Sequence, residues 1–368
     1  MKKKLLISIM MTLVFLLSSC GGKGVEEVSK NVETSQTQKT QTITDMAGRE
    51  VKLEGKVEKV YSTNPIGTML TYTFDDKKLI GLNFDLSEQE KKFTTEYYQK
   101  LPNLGGWYGK GKTGNVEEIM KAKPDLVIST GVDQTSIDNA DKLQKQLGAP
   151  VILLDNNLDK IGDVYRLLGK VLGDEKRGEE LATYCEDTVK TAKEISAKIP
   201  EDKKVKVYYA EEASGLNTDP KGSQHARIID PVGATNVADV KAQDGYGRVE
   251  VSMEQVMKWN PDYIIACVDN GYDGSGSYDT ILKGSAWSNI KAVKDKNVYQ
   301  TPTAPFNWFD RPPSVNTMIG IKWCQNLLYP EYTNYDLKEE TKKFYKLFYH
   351  VDITDKDYDY ILEKAVRK

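Results

Sequence analysis

One phrase of this chain occurs twice. NVEEIMKAKPDLVI (Asn115–Ile128) is echoed by SMEQVMKWNPDYII (Ser252–Ile265), so that Glu117, Met120, Lys121, Pro124 and Asp125 fall on Glu254, Met257, Lys258, Pro261 and Asp262 at a constant offset. Each copy reads as a short helix, a Pro-Asp turn and a buried strand. Asn115 and Ser252 are candidate N-caps, and Glu118 and Gln255, three positions on, complete a capping-box arrangement. The proline stops each helix. The unbroken apolar runs LVIST and YIIAC then suit strands covered on both faces of a mostly parallel sheet. A repeat this long predicts two similar α/β lobes, not a solenoid of short units.

The remaining apolar runs fill out each lobe. VEKVYSTNP, KLIGLNFD, PDLVISTG and APVILLD supply four candidate strands in the first half, and KVKVYYAEE, PDYIIACVD and KNVYQTP three in the second. Between them, Leu181, Tyr184, Cys185, Val189, Ala192, Ile195 and Ile199 follow helical spacing until Pro200. A helix of about 24 residues, ~36 Å long, is enough to bridge two lobes. The expected architecture is therefore α/β: an N-terminal lobe at 42–160, linking helices at 161–200 and a C-terminal lobe at 201–368. Central, mostly parallel sheets are joined by one long interdomain helix, with a ligand cleft between the lobes.

The chain opens MKKKLLISIMMTLVFLLSSCGG, with the charged start, apolar run and small-residue cleavage zone of a secretory signal peptide. Its apolar run falls short of the roughly 20 residues a membrane span needs. Leu17-Ser18-Ser19-Cys20 looks like a lipobox, the signal that places an acyl anchor on the cysteine; the alternative is an ordinary signal peptide with a chance cysteine. The expectation is a signal peptide at 1–19 and then an acylated Cys20 on a polar tether to residue 41, displayed on the outer side of a cell membrane.

Composition excludes several classes. The formal charge of −3 counts Lys2, Lys3 and Lys4, so the processed chain is more acidic still, with no basic cluster for nucleic acid. Four cysteines, one of them Cys20, leave Cys185, Cys267 and Cys324 with no disulfide framework and no C-x-x-C pair. Two histidines, His225 and His350, do not make a His-rich metal cage. No G-x-S-x-G elbow or H-E-x-x-H motif marks an enzyme. Gly106–Thr113 does match G-x-x-x-x-G-K-[ST], but a phosphate loop leaves a buried strand and enters a helix directly. Here TEYYQKLPNL precedes it, and the next helix begins only near Asn115.

Together, the lipobox, the duplicated phrase and two α/β halves on a long helix resemble the substrate-binding lipoproteins of ABC importers. The branch is the one serving iron chelates, haem and cobalamin, and the likeness runs from about Thr42 to the end. TITDMAGREVKLEGKVEKV is similar to the family's opening hairpin, and WSNIKAVKDKNVY to its last-strand motif. The resemblance implies a monomeric, non-enzymatic carrier without a resident cofactor or metal site, working with ABC permease subunits and their ATPase. It implies that Glu117 and Glu254, one per lobe, dock on the permease; their other role is to favour a helix N-terminus electrostatically.

The same likeness implies ligand contacts at Asn64, within Ser62-Thr63-Asn64-Pro65, and at Trp107 and Tyr108 in the glycine-rich loop. From the second half it implies Asn307, Trp308 and Arg311 within FNWFDRPPS. Asn307 stands where the cobalamin-binding pattern has an acid, which weighs against cobalamin. Arg311 suits an oxyanion or a salt bridge to Asp310 equally. Trp107 is either a cleft aromatic or a core residue. His225, expected near a helix start, is a candidate ligand or a structural residue. The bound species is expected to be an iron chelate (siderophore or haem) or a corrinoid. Alternatively it is a molybdate- or tungstate-like oxyanion, which would need a small site with mostly neutral hydrogen-bond donors.

Overall fold

A computed structural model describes residues 40–109, 111–241, 247–268 and 276–367. The expected signal peptide, Cys20 and the tether up to residue 39 lie outside the described residues, as does Lys110 of the glycine-rich loop. The first half runs β1 (Thr40–Thr44), β2 (Glu50–Glu54), β3 (Val60–Ser62), α1 (Pro65–Asp75), α2 (Glu88–Lys92), α3 (Glu96–Gln99), α4 (Val116–Ala122), β4 (Leu126–Thr130), α5 (Gln134–Leu147) and β5 (Val151–Leu154). α6 (Ile161–Leu172) and α7 (Glu175–Ser196) follow. The second half holds β6 (Lys206–Ala210), β7 (Asn217–Thr218), β8 (Thr235–Asn236), β9 (Val249–Glu250), α8 (Met253–Trp259), β10 (Tyr263–Ala266), α9 (Tyr278–Lys283), α10 (Lys291–Lys294), β11 (Val298–Gln300), α11 (Asn316–Leu328), α12 (Leu337–Phe344) and α13 (Asp355–Ile361).

Two parallel sheets organise these elements, ordered β3-β4-β5 and β11-β10-β6-β8. β4 and β10, the strands of the duplicated phrase, take interior positions in their sheets, which is why their apolar runs are unbroken. The opening hairpin forms as β1 and β2, antiparallel, with Ile43 facing Val51. KLIGLNFD does not make a strand. Leu79 bridges Val60 and Leu82 bridges Asn103 only singly, because the segment turns to carry Asn83 under the glycine-rich loop.

The two phrase helices are built alike. Asn115 accepts from the Glu118 amide at 3.3 Å, and Ser252 accepts from the Gln255 amide at 3.2 Å. The reciprocal half of the expected capping box is not made at Glu118, whose carboxylate turns to Lys121, 3.5 Å away. Lys123 (φ 52°) and Asn260 (φ 45°) end the helices in the left-handed conformation, just before each proline.

The linker is a pair of helices. Gly173 (φ 80°) turns the chain at the end of α6, and Asp174 caps the 22-residue α7, ~33 Å long. Gly169 and Gly178 set the distance of closest approach: a Cβ on Gly178 would lie 2.7 Å from Tyr165 O and 3.0 Å from Gly169 Cα. Arg177 ties α7 to both halves, donating to Thr73 O at 3.1 Å and to Leu347 O. Replacing Gly178 with valine should therefore force the helices apart and lower stability by ~1–3 kcal/mol. A urea melt with no loss of stability would contradict that packing.

Candidate binding cleft

Parallel strands deliver their C-terminal ends to one edge, and the loops leaving those ends carry the expected site residues. In the first lobe, β3 runs into Thr63 and Asn64. Asn64 caps α1, accepting from the Gly67 amide at 3.1 Å, with Pro65 at the first helical position. Its own amide donates to Thr130 Oγ1 at 3.0 Å, while Thr63 Oγ1 donates to Ser129 Oγ at 2.8 Å. Asn64 is thus a stitch between the ends of β3 and β4, beside a rim of hydroxyl groups.

The glycine-rich loop is fastened to that edge. The Trp107 amide donates to Thr63 O at 2.7 Å, and Asn83 and Tyr61 both donate to Gly105 O at 2.8 Å. Gly106 lies flat on Thr63 O, leaving no room for a side chain. The Trp107 ring packs on Gly114, where a Cβ would fall 2.6 Å from Cη2, and joins the cluster that includes Ile119 and Val127. Tyr108, half-buried, donates its hydroxyl to Asn83 O at 2.9 Å. No strand feeds this loop and α4 begins only at Val116, as the exclusion of a phosphate loop required.

The second-lobe wall is polar and buried. Asn307 is its hub: its amide reaches Thr301 Oγ1 at 3.0 Å and Val268 O at 3.2 Å, and its oxygen accepts from the Phe309 and Asp310 amides. Trp308 departs from the expectation of a cleft aromatic. It is 0% exposed and stands edge-on to Tyr345, because the turn made by Asn307 carries this loop, with Phe306, Trp308 and Phe309, into the core. Phe309 stacks on Tyr209 with ring centroids 4.3 Å apart.

Asp310 and Arg311 sit in an ionic cluster. Arg311 Nη2 lies 2.8 Å from Glu211 Oε1 and 3.0 Å from Asp219 Oδ2, and Nε lies 3.2 Å from Asp310 Oδ2. Arg248 adds a second cation to Glu211 at 2.8 Å. His225 Nδ1 is 2.6 Å from Asp310 Oδ1. His225 lies in a run of turns, not near a helix start, since Pro220, Gly222 and Pro231 break up the segment. Asp219, His225 and Asp310 bring ligand atoms within 4.8 Å of one another, a spacing open to a metal, but Arg311 is already paired with both aspartates.

Burial, together with the charge on Glu211, pushes the Asp219 carboxyl up to about 9, so it is protonated at neutral pH. Burial opposes ionisation of Glu211 as well, yet Arg311 and Arg248 hold its carboxyl below the usual range.

Sequence reasoning missed Arg227. This largely buried side chain crosses from one lobe to the other: Nη1 donates to Asn156 O beyond β5, and Nη2 to Ser314 O at 3.5 Å. Asn156 returns a bond to Pro313 O at 3.3 Å. Burial lowers the Arg227 pKa to about 10, leaving it charged. Arg227 Nε, Ser314 Oγ and Tyr209 OH are three of eight buried side-chain polar atoms among the described residues with no hydrogen-bond partner. The signal was a lone arginine inside the apolar run Ala226–Ile229.

Residues 92–305 match the pattern of the family described as periplasmic binding protein. An ABC transporter solute binding protein from Sulfurospirillum deleyianum superposes with a TM-score of 0.79 at 31% identity, covering 88% of this chain and 99% of that one. The molybdate-binding protein MolA of Haemophilus influenzae is 25% identical over 92% of this chain and 97% of its own length. The iron(3+)-hydroxamate-binding protein FhuD of Bacillus subtilis is 26% identical over 63% of this chain and 72% of its own. The chain belongs to the periplasmic binding protein family. Within that family it is a solute-binding protein of an ABC transporter, with an extracytoplasmic place of work and a small-molecule ligand, and it is not an enzyme.

The Asp219 proton sets a pH signature. The folded group keeps its proton to about pH 9 while the unfolded one loses it near 4, so stability falls as pH rises through that window. Asp219→Asn, which copies the neutral acid, should raise the melting temperature at pH 8 and flatten its decline between pH 5 and 8. An unchanged slope in thermal melts would show that Asp219 ionises normally.

Proposed function

We propose that this chain is a lipid-anchored carrier, tethered through Cys20, that hands a small oxyanion of the molybdate or tungstate kind to an ABC importer. The observation that carries this reading is Arg227: a charged guanidinium at the seam of the lobes with an unpartnered Nε, beside the unpartnered Ser314 hydroxyl. Across the seam, Asn156 continues β5, whose neighbour β4 ends at the Ser129 and Thr130 hydroxyls. A fixed cation among neutral donors suits a compact anion, whose charge is met by fork-like N–H groups without a second full charge. The aromatic residues expected in the cleft are engaged elsewhere: Trp308 in the core, Trp107 beneath its own loop and Tyr108 through its hydroxyl on Asn83 O. The full-length likeness to a molybdate-binding protein supports the same choice.

A second reading, delivery of an iron chelate, draws on His225 and the likeness to FhuD. Asp310 orients the imidazole through Nδ1, leaving Nε2 as the nitrogen that would meet a metal. In either case Glu117 and Glu254, both exposed at the second position of their helices, are proposed to dock on the permease.

Calorimetric titration of the purified protein with molybdate, tungstate, sulfate, phosphate and a ferric hydroxamate separates the readings. Saturable binding of molybdate or tungstate is expected, and Arg227→Gln should weaken it at least tenfold, ~1.4 kcal/mol. Binding of the ferric hydroxamate alone would replace the oxyanion with the chelate. For the anchor, the wild-type chain should take up radiolabelled palmitate in cells, whereas Cys20→Ala should not; equal labelling would exclude acylation at that cysteine.

A further inference from the structure

We propose that Met120 and Met257 form the apolar half of a two-point docking surface. The partner is a pair of equivalent membrane subunits of the importer, each offering a basic group beside a shallow apolar shelf. The inference rests on the docking role of Glu117 and Glu254 and adds the contact that holds the complex once charge has brought it together.

The duplicated helices are copies in how they are seated as well as in sequence. Each has one fully buried anchor, Ile119 in α4 and Val256 in α8, at the same repeat position. With caps and left-handed ends matched as well, both helices turn the same face outward. Glu117 with Met120, and Glu254 with Met257, are spaced i, i+3 and so share a face.

Those methionines are unusually bare. Met120 is 48% exposed and Met257 46%, two of only five exposed large apolar side chains among the described residues. Neither is a member of the three core clusters, so burial does not account for an apolar residue at either site. That the same exposure occurs at both copies of one position sets it apart from a scattered surface leucine.

Their neighbours define the partner. Among the described residues, Glu117 and Glu254 make no ion pair, whereas Glu118, beside Glu117, is taken by Lys121. Each patch therefore presents an exposed carboxylate with no cation of its own (the one at Glu254 is held by Ser252 and its own backbone) and, one turn on, a thioether. A carboxylate that no cation of the chain meets calls for one from a partner, and a bare methionine for an apolar surface. Methionine is flexible and polarisable, which fits a contact that must form and release repeatedly. Two equivalent patches call for two equivalent receivers.

The two components act on different rates. Exposed charge governs encounter and its salt dependence, while desolvated apolar contact governs residence. The test is biosensor binding of the full chain to its permease–ATPase complex in lipid nanodiscs at low and high salt. Met120→Ser/Met257→Ser should speed dissociation at least tenfold, leaving association and its salt dependence as in the wild type. Glu117→Gln/Glu254→Gln should slow association, most at low salt. Thermal melts and ligand titration of both double variants should match the wild type. If the methionine variant dissociates at the wild-type rate while the glutamate variant is impaired, the inference fails and the docking role of the glutamates stands. If neither variant is impaired, both fail. Should sedimentation show the wild type dimeric and the methionine variant monomeric, the patches are covered by a second copy of this chain, and the proposal is overturned.

Discussion

Arg311 allows this protein to bury three carboxylates in one wall. Glu211, Asp219 and Asp310 are each almost wholly removed from water, and isolated buried charges would cost several kcal/mol apiece. One guanidinium meets all three, a second from Arg248 shares Glu211, and Asp219 completes the neutralisation by keeping a proton. The strand-end loop that carries Asn307 to Ser314 is held by this cluster and by the Asn307 hub. So are the orientation of His225 and the setting of Ser314 beside Arg227. Removing one partner from such a network leaves the others uncompensated, so its parts are mutually dependent.

The seam between the lobes follows a different logic. Beside the aromatic packing that joins the lobes at Tyr72 and Tyr349, it places backbone carbonyls against a side-chain amide and one guanidinium, with Asn156 and Arg227 bonding across it. Because Arg227 bonds to main-chain oxygens on both sides, its position depends on the relative setting of the two lobes. A ligand contacting its free Nε would therefore sense both lobes through one residue. Shape is read here by a few fixed donors, which discriminate ions by size and geometry more sharply than an apolar surface does.

Much of the scaffold was legible because it obeys local rules. The N-caps at Asn115 and Ser252, the proline stops, the unbroken runs of β4 and β10 and the long helix all follow from neighbours a few residues apart. Failures occur where distant contacts decide. KLIGLNFD has the composition of a strand, but Asn83 is needed beneath Gly105. The second half of the capping box gave way to an exposed ion pair of comparable worth. Trp308 is hydrophobic whether in a core or a cleft, and only the turn at Asn307 decides which. Arg311 was left open between an ion pair and an oxyanion; its buried partners come from positions about a hundred residues away. Arg227 escaped notice because an arginine gains meaning there only from carbonyls of the opposite lobe.

The linker has a mechanical consequence. A paired helical strut, closely packed through Gly169 and Gly178 and tied to both lobes by Arg177, is a stiff spring with a short travel. Loading such a carrier involves little rearrangement, so the fit of its ligand is set largely before capture. For the carrier proposed above, unloading then calls for more than a free swing of the lobes. The force that parts Arg227 from Asn156 has to come from whatever grips the two lobes, and it is delivered as a lever acting on the strut.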